Sequence, residues 1–289
     1  MEKQRRAYFC ASFAVLFWAT SASAFKISLK YVDVFSLLFF ASLTSTVIFF
    51  LYILVSNRLS LLKELSGTDY LYSALLGFLN PFLYYAVLFK AYSVLPAQEA
   101  QPLNFIWPIT LVLLSIPLLK QKIRRKDLLA TFICFAGVFV ISTRGDIFGF
   151  RFTNITGVAL ATGSSVIWAL FWIYNVRDKR DEVVRLFLNF TFGTAMTFIL
   201  MVLLGNIHVP HPPGLLGAAY IGLFEMGVTF LLWLKALKLS KTTAHVTNLI
   251  YLVPFLSLVV IRLAVGEAIL PSTIVGLVFI VGGIIYQRL

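Results

Sequence analysis

The chain has 289 residues, of which 60% are hydrophobic and only 12% charged, far from the half-apolar, quarter-charged balance of soluble domains. A fold of this length has too little interior to hide that much apolar surface behind a polar skin, which excludes a soluble globule. The net charge of +12 does not point to nucleic acid, because the basic residues fall in short clusters between apolar runs and form no stripe with interleaved aromatics.

A bilayer core about 30 Å thick takes roughly 20 apolar residues per helix. Runs of this kind occupy 7–25, 33–55, 70–91, 97–119, 127–143, 155–175, 184–205, 215–237, 243–265 and 271–287. Each is continuously apolar rather than alternating, which predicts an all-α integral membrane protein of ten transmembrane helices and not a barrel. The first run follows Lys3, Arg5 and Arg6 and ends in Ser21-Ala22-Ser23-Ala24, so it imitates a cleavable signal peptide. Its counterpart later in the chain predicts a retained first helix instead. With the N-terminus inside, 18 of the 24 Lys and Arg residues face inward and six face outward. Both termini are therefore expected in the cytoplasm. Sparse acidic loops and the lack of a long external domain favour a bacterial inner membrane.

Cys10 and Cys134 fall inside apolar runs and read as small buried hydrophobes. His208-x-x-His211 sits in a Pro-rich loop without further ligands, so neither a metal site nor a cofactor is expected.

The two halves resemble each other. Leu16-Phe17-Trp18-Ala19 recurs as Val166-Ile167-Trp168-Ala169, 150 residues on. Leu76-Gly77 through Lys90-Ala91 recurs as Ile221-Gly222 through Lys235-Ala236, 145 residues on, and Pro108 recurs as Pro254, 146 on. Five spans per copy is an odd number, so the second copy enters the membrane inverted. The expected division is residues 1–122 for helices 1 to 4, 123–150 for the fifth helix, and 151–289 for the inverted second repeat. Inverted repeats typify carriers in which two halves rock around a site near the bilayer midplane.

An ionisable side chain at bilayer depth costs several kcal/mol and usually faces a cavity. Glu225 stands near the middle of the eighth run, and its repeat partner, Asn80, is central in the third. Glu225 reads as a substrate-binding or proton-coupling carboxyl, with an interhelical hydrogen bond as the alternative. Glu99, a short way into the fourth run, is a second coupling candidate, and His245 lies 146 residues after it. Gln98, Gln101 and Asn104 share one helix face, as do His245 and Asn248. These amides suit zwitterionic or hydroxylated substrates, or satisfy one another across helices. Trp18, Trp107 and Trp168 are cavity candidates able to stack on an aromatic or cationic solute, with Tyr84 and Tyr251 beside them in the candidate site. Pro81, Pro108, Pro117 and Pro254 are expected to kink their helices. Gly282-Gly283 offers close packing or a dimer contact, leaving monomer and homodimer both open.

Several of these features, in this order and spacing, resemble the drug/metabolite transporter superfamily, specifically its ten-helix EamA-type members. They are Phe17-Trp18, Lys235-Ala236-Leu237 closing the eighth run, Pro254, and Gly266-Glu267 downstream. Asn104-Phe105-Ile106-Trp107-Pro108 is similar to the corresponding stretch of the aromatic-amino-acid exporters in that family. The first half departs from the pattern, with Lys120-Gln121 where Gly-Glu would repeat. The resemblance implies a central cavity lined by helices 3, 4, 8 and 9 with parts of 1 and 6, and it implies export.

These readings converge on a secondary transporter of small organic solutes, with amino acids or related metabolites favoured, working in the lipid bilayer by alternating access. A nucleotide-linked or phosphorylated-metabolite exchanger is the alternative, but it needs cations at midplane depth. No P-loop is present. An intramembrane enzyme would need Glu99 and His245 to form a dyad, and a channel would need a filter motif or charge ring.

Overall fold

In the computed structural model, residues 2–95, 103–149, 154–205, 210–265 and 270–289 are described. Gln98, Glu99, Gln101 and the Gly266-Glu267 pair lie outside them. Among the described residues every regular element is helical. The order is α1 (Glu2–Ser28), α2 (Val34–Val55), a short α3 (Leu59–Lys63) and α4 (Gly67–Gly77), which passes through a kinked turn (Phe78–Leu83), non-helical at Asn80, into α5 (Tyr84–Val94). Next come α6 (Trp107–Leu119), α7 (Arg125–Ser142), α8 (Ile155–Arg177) and α9 (Glu182–Leu203). α10 (Pro212–Tyr220) then leads through a second mid-run turn, a π turn (Ile221–Gly227), into α11 (Val228–Leu239). The chain closes with α12 (Thr243–Thr247), a 3-10 turn (Asn248–Tyr251), α13 (Leu252–Val265) and α14 (Pro271–Arg288).

Six described stretches are long and apolar enough to cross a membrane: Glu2–Phe25, Val34–Val55, Gly67–Leu88, Ile155–Arg177, Glu182–Leu203 and Pro212–Leu239. Trp107–Leu119 and Pro271–Gln287 are apolar but shorter. The outer surface is apolar as well: Val55 is 86% exposed, Ile155 79% and Leu71 72%, a surface that hydrocarbon solvates and water does not.

Local chemistry sets the helix ends. Asp33 Oδ1 accepts hydrogen bonds from the backbone N–H groups of Phe35 and Ser36 at 3.0 and 3.1 Å, which starts α2. Asp181, 148 residues on, starts α9 in the same way through Val183 and Val184 at 3.0 and 3.2 Å. The prolines divide into two kinds. Asn80 precedes Pro81 and leaves helical geometry at φ −155°, ψ 126°, which breaks the α4–α5 run. Pro108, expected to kink its helix, instead stands in the first turn of α6. Pro254 is likewise the third residue of α13. A first-turn proline such as Pro108 has no intrahelical N–H bond to lose, whereas Pro254 follows a 3-10 turn without a break and Pro117 stands inside α6.

α2 packs on α9 and α7 on α14; α1 packs on α11 and α13, and α8 on α5 and α6. Glycine permits the closest crossings. A Cβ on Gly137 would stand 2.5 Å from the carbonyl oxygen of Gly276, and one on Gly276 would stand 2.5 Å from that of Gly137. Small residues that let backbones touch are the usual means of joining helices in lipid, where no hydrophobic force acts between them. Cys134 belongs to this α7–α14 seam and donates to the carbonyl of Ile280 at 3.4 Å.

Several basic residues form ion pairs at one end of the bundle. Arg58 meets Asp181 at 2.6 Å, Arg180 meets Asp178 at 2.6 Å and Asp69 at 3.8 Å, and Lys238 meets Glu182 at 3.6 Å. Arg185, fully buried, donates to the carbonyl oxygen of Asp178. These contacts join the end of α2, the start of α4, the α8–α9 connection and the end of α11.

Candidate functional site

Four indoles converge from four helices: Trp18 on α1, Trp107 at the start of α6, Trp168 on α8 and Trp233 on α11. Ring centroids lie 6.4 Å apart for Trp18–Trp107, 6.3 Å for Trp18–Trp168, 5.5 Å for Trp18–Trp233, and 5.9 Å for both Trp107–Trp168 and Trp107–Trp233. Three of the five pairs are edge-to-face, as aromatic quadrupoles favour, and the other two are tilted at 56° and 60°. None of the four is more than 9% exposed. Tyr84 tilts against Trp168 at 4.4 Å, and Phe230 stands edge-on to it at 5.5 Å.

A carboxyl group belongs to the same region. Glu225, 7% exposed, sits in the π turn. The Tyr85 hydroxyl donates to its Oε1 at 2.7 Å, while Oε2 has no hydrogen-bond partner. Among the described residues Glu225 forms no ion pair. Tyr85 stacks edge-on to Tyr84 at 4.9 Å, and Asn104 donates to the Tyr84 hydroxyl at 3.2 Å. Asn80, fully buried one turn before Tyr84, has both amide atoms unpartnered. The indole N–H groups of Trp168 and Trp233 are unpartnered too. Buried polar atoms without partners are uncommon in native interiors. A group of them around one aromatic cluster is a set of contacts that a polar solute can complete.

Two mid-run turns put these groups in place, the kink at Asn80-Pro81 and the π turn at Ile221–Gly227. Each falls in the middle of a long helical run, between α4 and α5 and between α10 and α11. Thr229 donates its hydroxyl to the Phe224 carbonyl oxygen, which the second turn releases from the α ladder. Gly222 seats that turn on α2, where the Ser45 hydroxyl donates to its carbonyl at 2.7 Å. Gly77 seats the first turn on α9, where an added Cβ would stand 2.9 Å from the backbone nitrogen of Gly193. The second of these, a π turn inside a helix, is a feature frequent at functional sites.

Trp18, Trp107, Trp168, Tyr84, Asn104 and, through Tyr85, Glu225 are thus linked around one region, while Asn80 is buried in the kinked turn that precedes Tyr84. The other expected residues do not join the cluster. His245 Nδ1 lies 2.6 Å from the Thr242 hydroxyl, within the turn that starts α12. Tyr251 packs against Phe135 of α7 at 6.5 Å and clusters with Cys134 and Ile280. Asn248, 1% exposed with both amide atoms unpartnered, sits on the 3-10 turn that packs on α1 and α7. Glu99 and Gln101 are outside the described residues. Two members of the cluster are not apparent from composition: Trp233, which fits equally well as packing, and Tyr85, which gives no sign of reaching Glu225. The repeat holds a partial signal, since Tyr85 and Phe230 are 145 residues apart, as are Asn80 and Glu225.

The chain is 25% identical over 274 residues to an uncharacterised transporter of Archaeoglobus fulgidus, covering 93% of each. It is 27% identical over 206 residues to the aromatic amino acid exporter YddG of Ancylobacter novellus, covering 70% of each. A chain of known crystal structure superposes with a TM-score of 0.82 at 23% identity, spanning 97% of this chain and 95% of that one, and so shares its fold. The EamA-like transporter family is matched twice, over residues 5–143 and 155–287. The chain therefore belongs to the EamA-like transporter family and is an integral membrane transporter of small solutes.

Proposed function

We propose that the protein is a secondary carrier of amino acids or related zwitterionic metabolites, exporting them from the cytoplasm across a bacterial inner membrane. It works by alternating access between two inverted five-helix halves, with both termini inside. The observation that carries this reading is the Tyr85–Glu225 hydrogen bond beside four packed indoles, at a level where both long helical runs lose α geometry. A carboxyl group suits a substrate ammonium, amides suit a carboxylate, and indole faces suit an aromatic or cationic side chain. Phosphorylated substrates would need cations in their place, so the exchanger alternative is disfavoured.

The repeat supports the rocking scheme. When each helix is exchanged for its repeat counterpart, the α1–α11 contact becomes α8–α5 and the α6–α8 contact becomes α13–α1, while α2–α9 and α7–α14 map onto themselves. Indole centroids 5.5 to 6.4 Å apart leave no gap for a solute, so a substrate enters by parting these helices. Glu225 is the coupling carboxyl, exchanging a proton for the bound amine.

The test is counterflow in proteoliposomes with a panel of labelled amino acids and other metabolites. Accumulation of a labelled amino acid against its unlabelled form is expected. If a phosphorylated metabolite exchanges and no amino acid does, the substrate assignment is overturned.

A further inference from the structure

Away from the indole cluster, a groove of about 520 Å³ opens between the start of α1 and the end of α11, lined by Glu2, Arg5, Arg6, Phe9, Cys10, Lys235 and Leu239. Its rim carries three cations against one carboxylate. Glu2 faces Arg6 at 3.7 Å in an exposed i, i+4 pair, and among the described residues Arg5 and Lys235 form no ion pair. Its floor is apolar, made by Phe9, Cys10 and Leu239. The groove is built rather than frayed. Gln4 Oε1 accepts from the Lys241 backbone N–H at 2.8 Å, and Gln4 Nε2 donates to the Ser240 hydroxyl at 3.3 Å, which joins the two helix ends. From the floor an apolar track runs along α1 at helical spacing: Phe9, Phe13 and Leu16 are 64%, 39% and 51% exposed, and the Phe9 and Phe13 rings lie 4.8 Å apart.

We infer that this groove is a binding site for one anionic phospholipid, its phosphate held by Arg5, Arg6 and Lys235 and an acyl chain lying along Phe9, Phe13 and Leu16. A cationic rim above an apolar track matches an amphiphile with an anionic head, and basic clusters at membrane ends attract such headgroups. A free phosphate would use the rim and gain nothing from the track. The inference rests on α1 crossing the bilayer as proposed, with its N-terminal end at the cytoplasmic leaflet. The lipid bridges α1 and α11, the helices that carry Trp18 and Trp233, and so bears on whether those helices can part.

Native mass spectrometry of the delipidated full chain, titrated with phosphatidylglycerol or phosphatidylcholine, tests this without reference to transport. The expected result is one retained phosphatidylglycerol per chain, with a preference of about tenfold over phosphatidylcholine. Combined Arg5→Gln, Arg6→Gln and Lys235→Gln substitutions should abolish the preference. Combined Lys120→Gln, Lys122→Gln and Lys126→Gln substitutions, which remove the same charge elsewhere, should leave it intact. All six side chains lie outside the core, and size-exclusion profiles check that both variants stay folded. Equal loss in the two variants, equal binding of the two lipids, or displacement by soluble glycerol phosphate would each overturn the assignment.

Discussion

Trp168→Ala should lower counterflow of the transported solute by roughly tenfold, with Trp168→Phe keeping most of the activity. The Trp168 ring is central to the aromatic cluster, touching Trp18, Trp107, Trp172, Tyr84 and Phe230. A desolvated cation–π or stacking contact contributes up to about 2 kcal/mol, and tenfold corresponds to about 1.4 kcal/mol. Truncation also opens a cavity, which costs about 3–5 kcal/mol for a buried large aromatic. The thermal midpoint in detergent should therefore fall in the alanine variant and much less in the phenylalanine variant. If Trp168 were packing alone, activity would recover in Trp168→Ala protein once it was measured well below its lowered midpoint. The site reading requires that it does not.

A second large effect on stability is expected at the glycine crossings that seat the two mid-run turns. In Gly222→Leu the new Cβ would meet the Ala41 carbonyl oxygen and stand 2.6 Å from Thr44 Cβ. In Gly77→Leu it would meet the Asn189 carbonyl oxygen and stand 3.1 Å from Phe192 Cβ. Backbone oxygens cannot swing aside as a side-chain tip can, so the helices must separate. Overpacking of this kind costs about 1–3 kcal/mol or more. Both variants should lose their monodisperse size-exclusion peak at temperatures the parent withstands. Gly163→Leu and Gly282→Leu are the controls, because nothing lies within 4 Å of a Cβ at either position. Equal destabilisation of all four would mean that close approach at the crossings is not what holds the fold.

Much of this arrangement is legible in the sequence because membrane helices obey a simple rule of length and apolarity, and because duplication marks equivalent positions. The 145-residue offset pairs Asn80 with Glu225, and the 150-residue offset pairs Trp18 with Trp168; Trp18 and Trp168 pack together at 6.3 Å, and Asn80 and Glu225 both stand in the mid-run turns. Other features escape for physical reasons. A non-helical residue at Asn80 and the π turn at 221–227 both reset the helical phase, so spacing counted through residues 78–83 or 221–227 selects the wrong face. The proline positions gain meaning only from the structure: among the described residues α6 begins at Trp107, so Pro108 falls in its first turn, and α13 follows a 3-10 turn just before Pro254. Composition also cannot separate Trp233, packed among indoles, from Tyr251, packed against Phe135, because both are wholly buried aromatics. The caps at Asp33 and Asp181 are a second repeat signal, weak in sequence because the pair shares a side-chain role and little else.

Glu225→Gln offers the most direct measurement of the central claim. The amide keeps the size of the carboxyl group and can still accept the Tyr85 hydrogen bond, but it cannot release a proton. In proteoliposomes, uptake driven by an imposed pH gradient and counterflow at equal pH should be compared for the variant and the parent. If Glu225 couples proton movement to transport, gradient-driven uptake falls to the level of empty liposomes while counterflow persists. If the variant responds to the gradient as the parent does, Glu225 is an interhelical contact and the coupling site lies elsewhere.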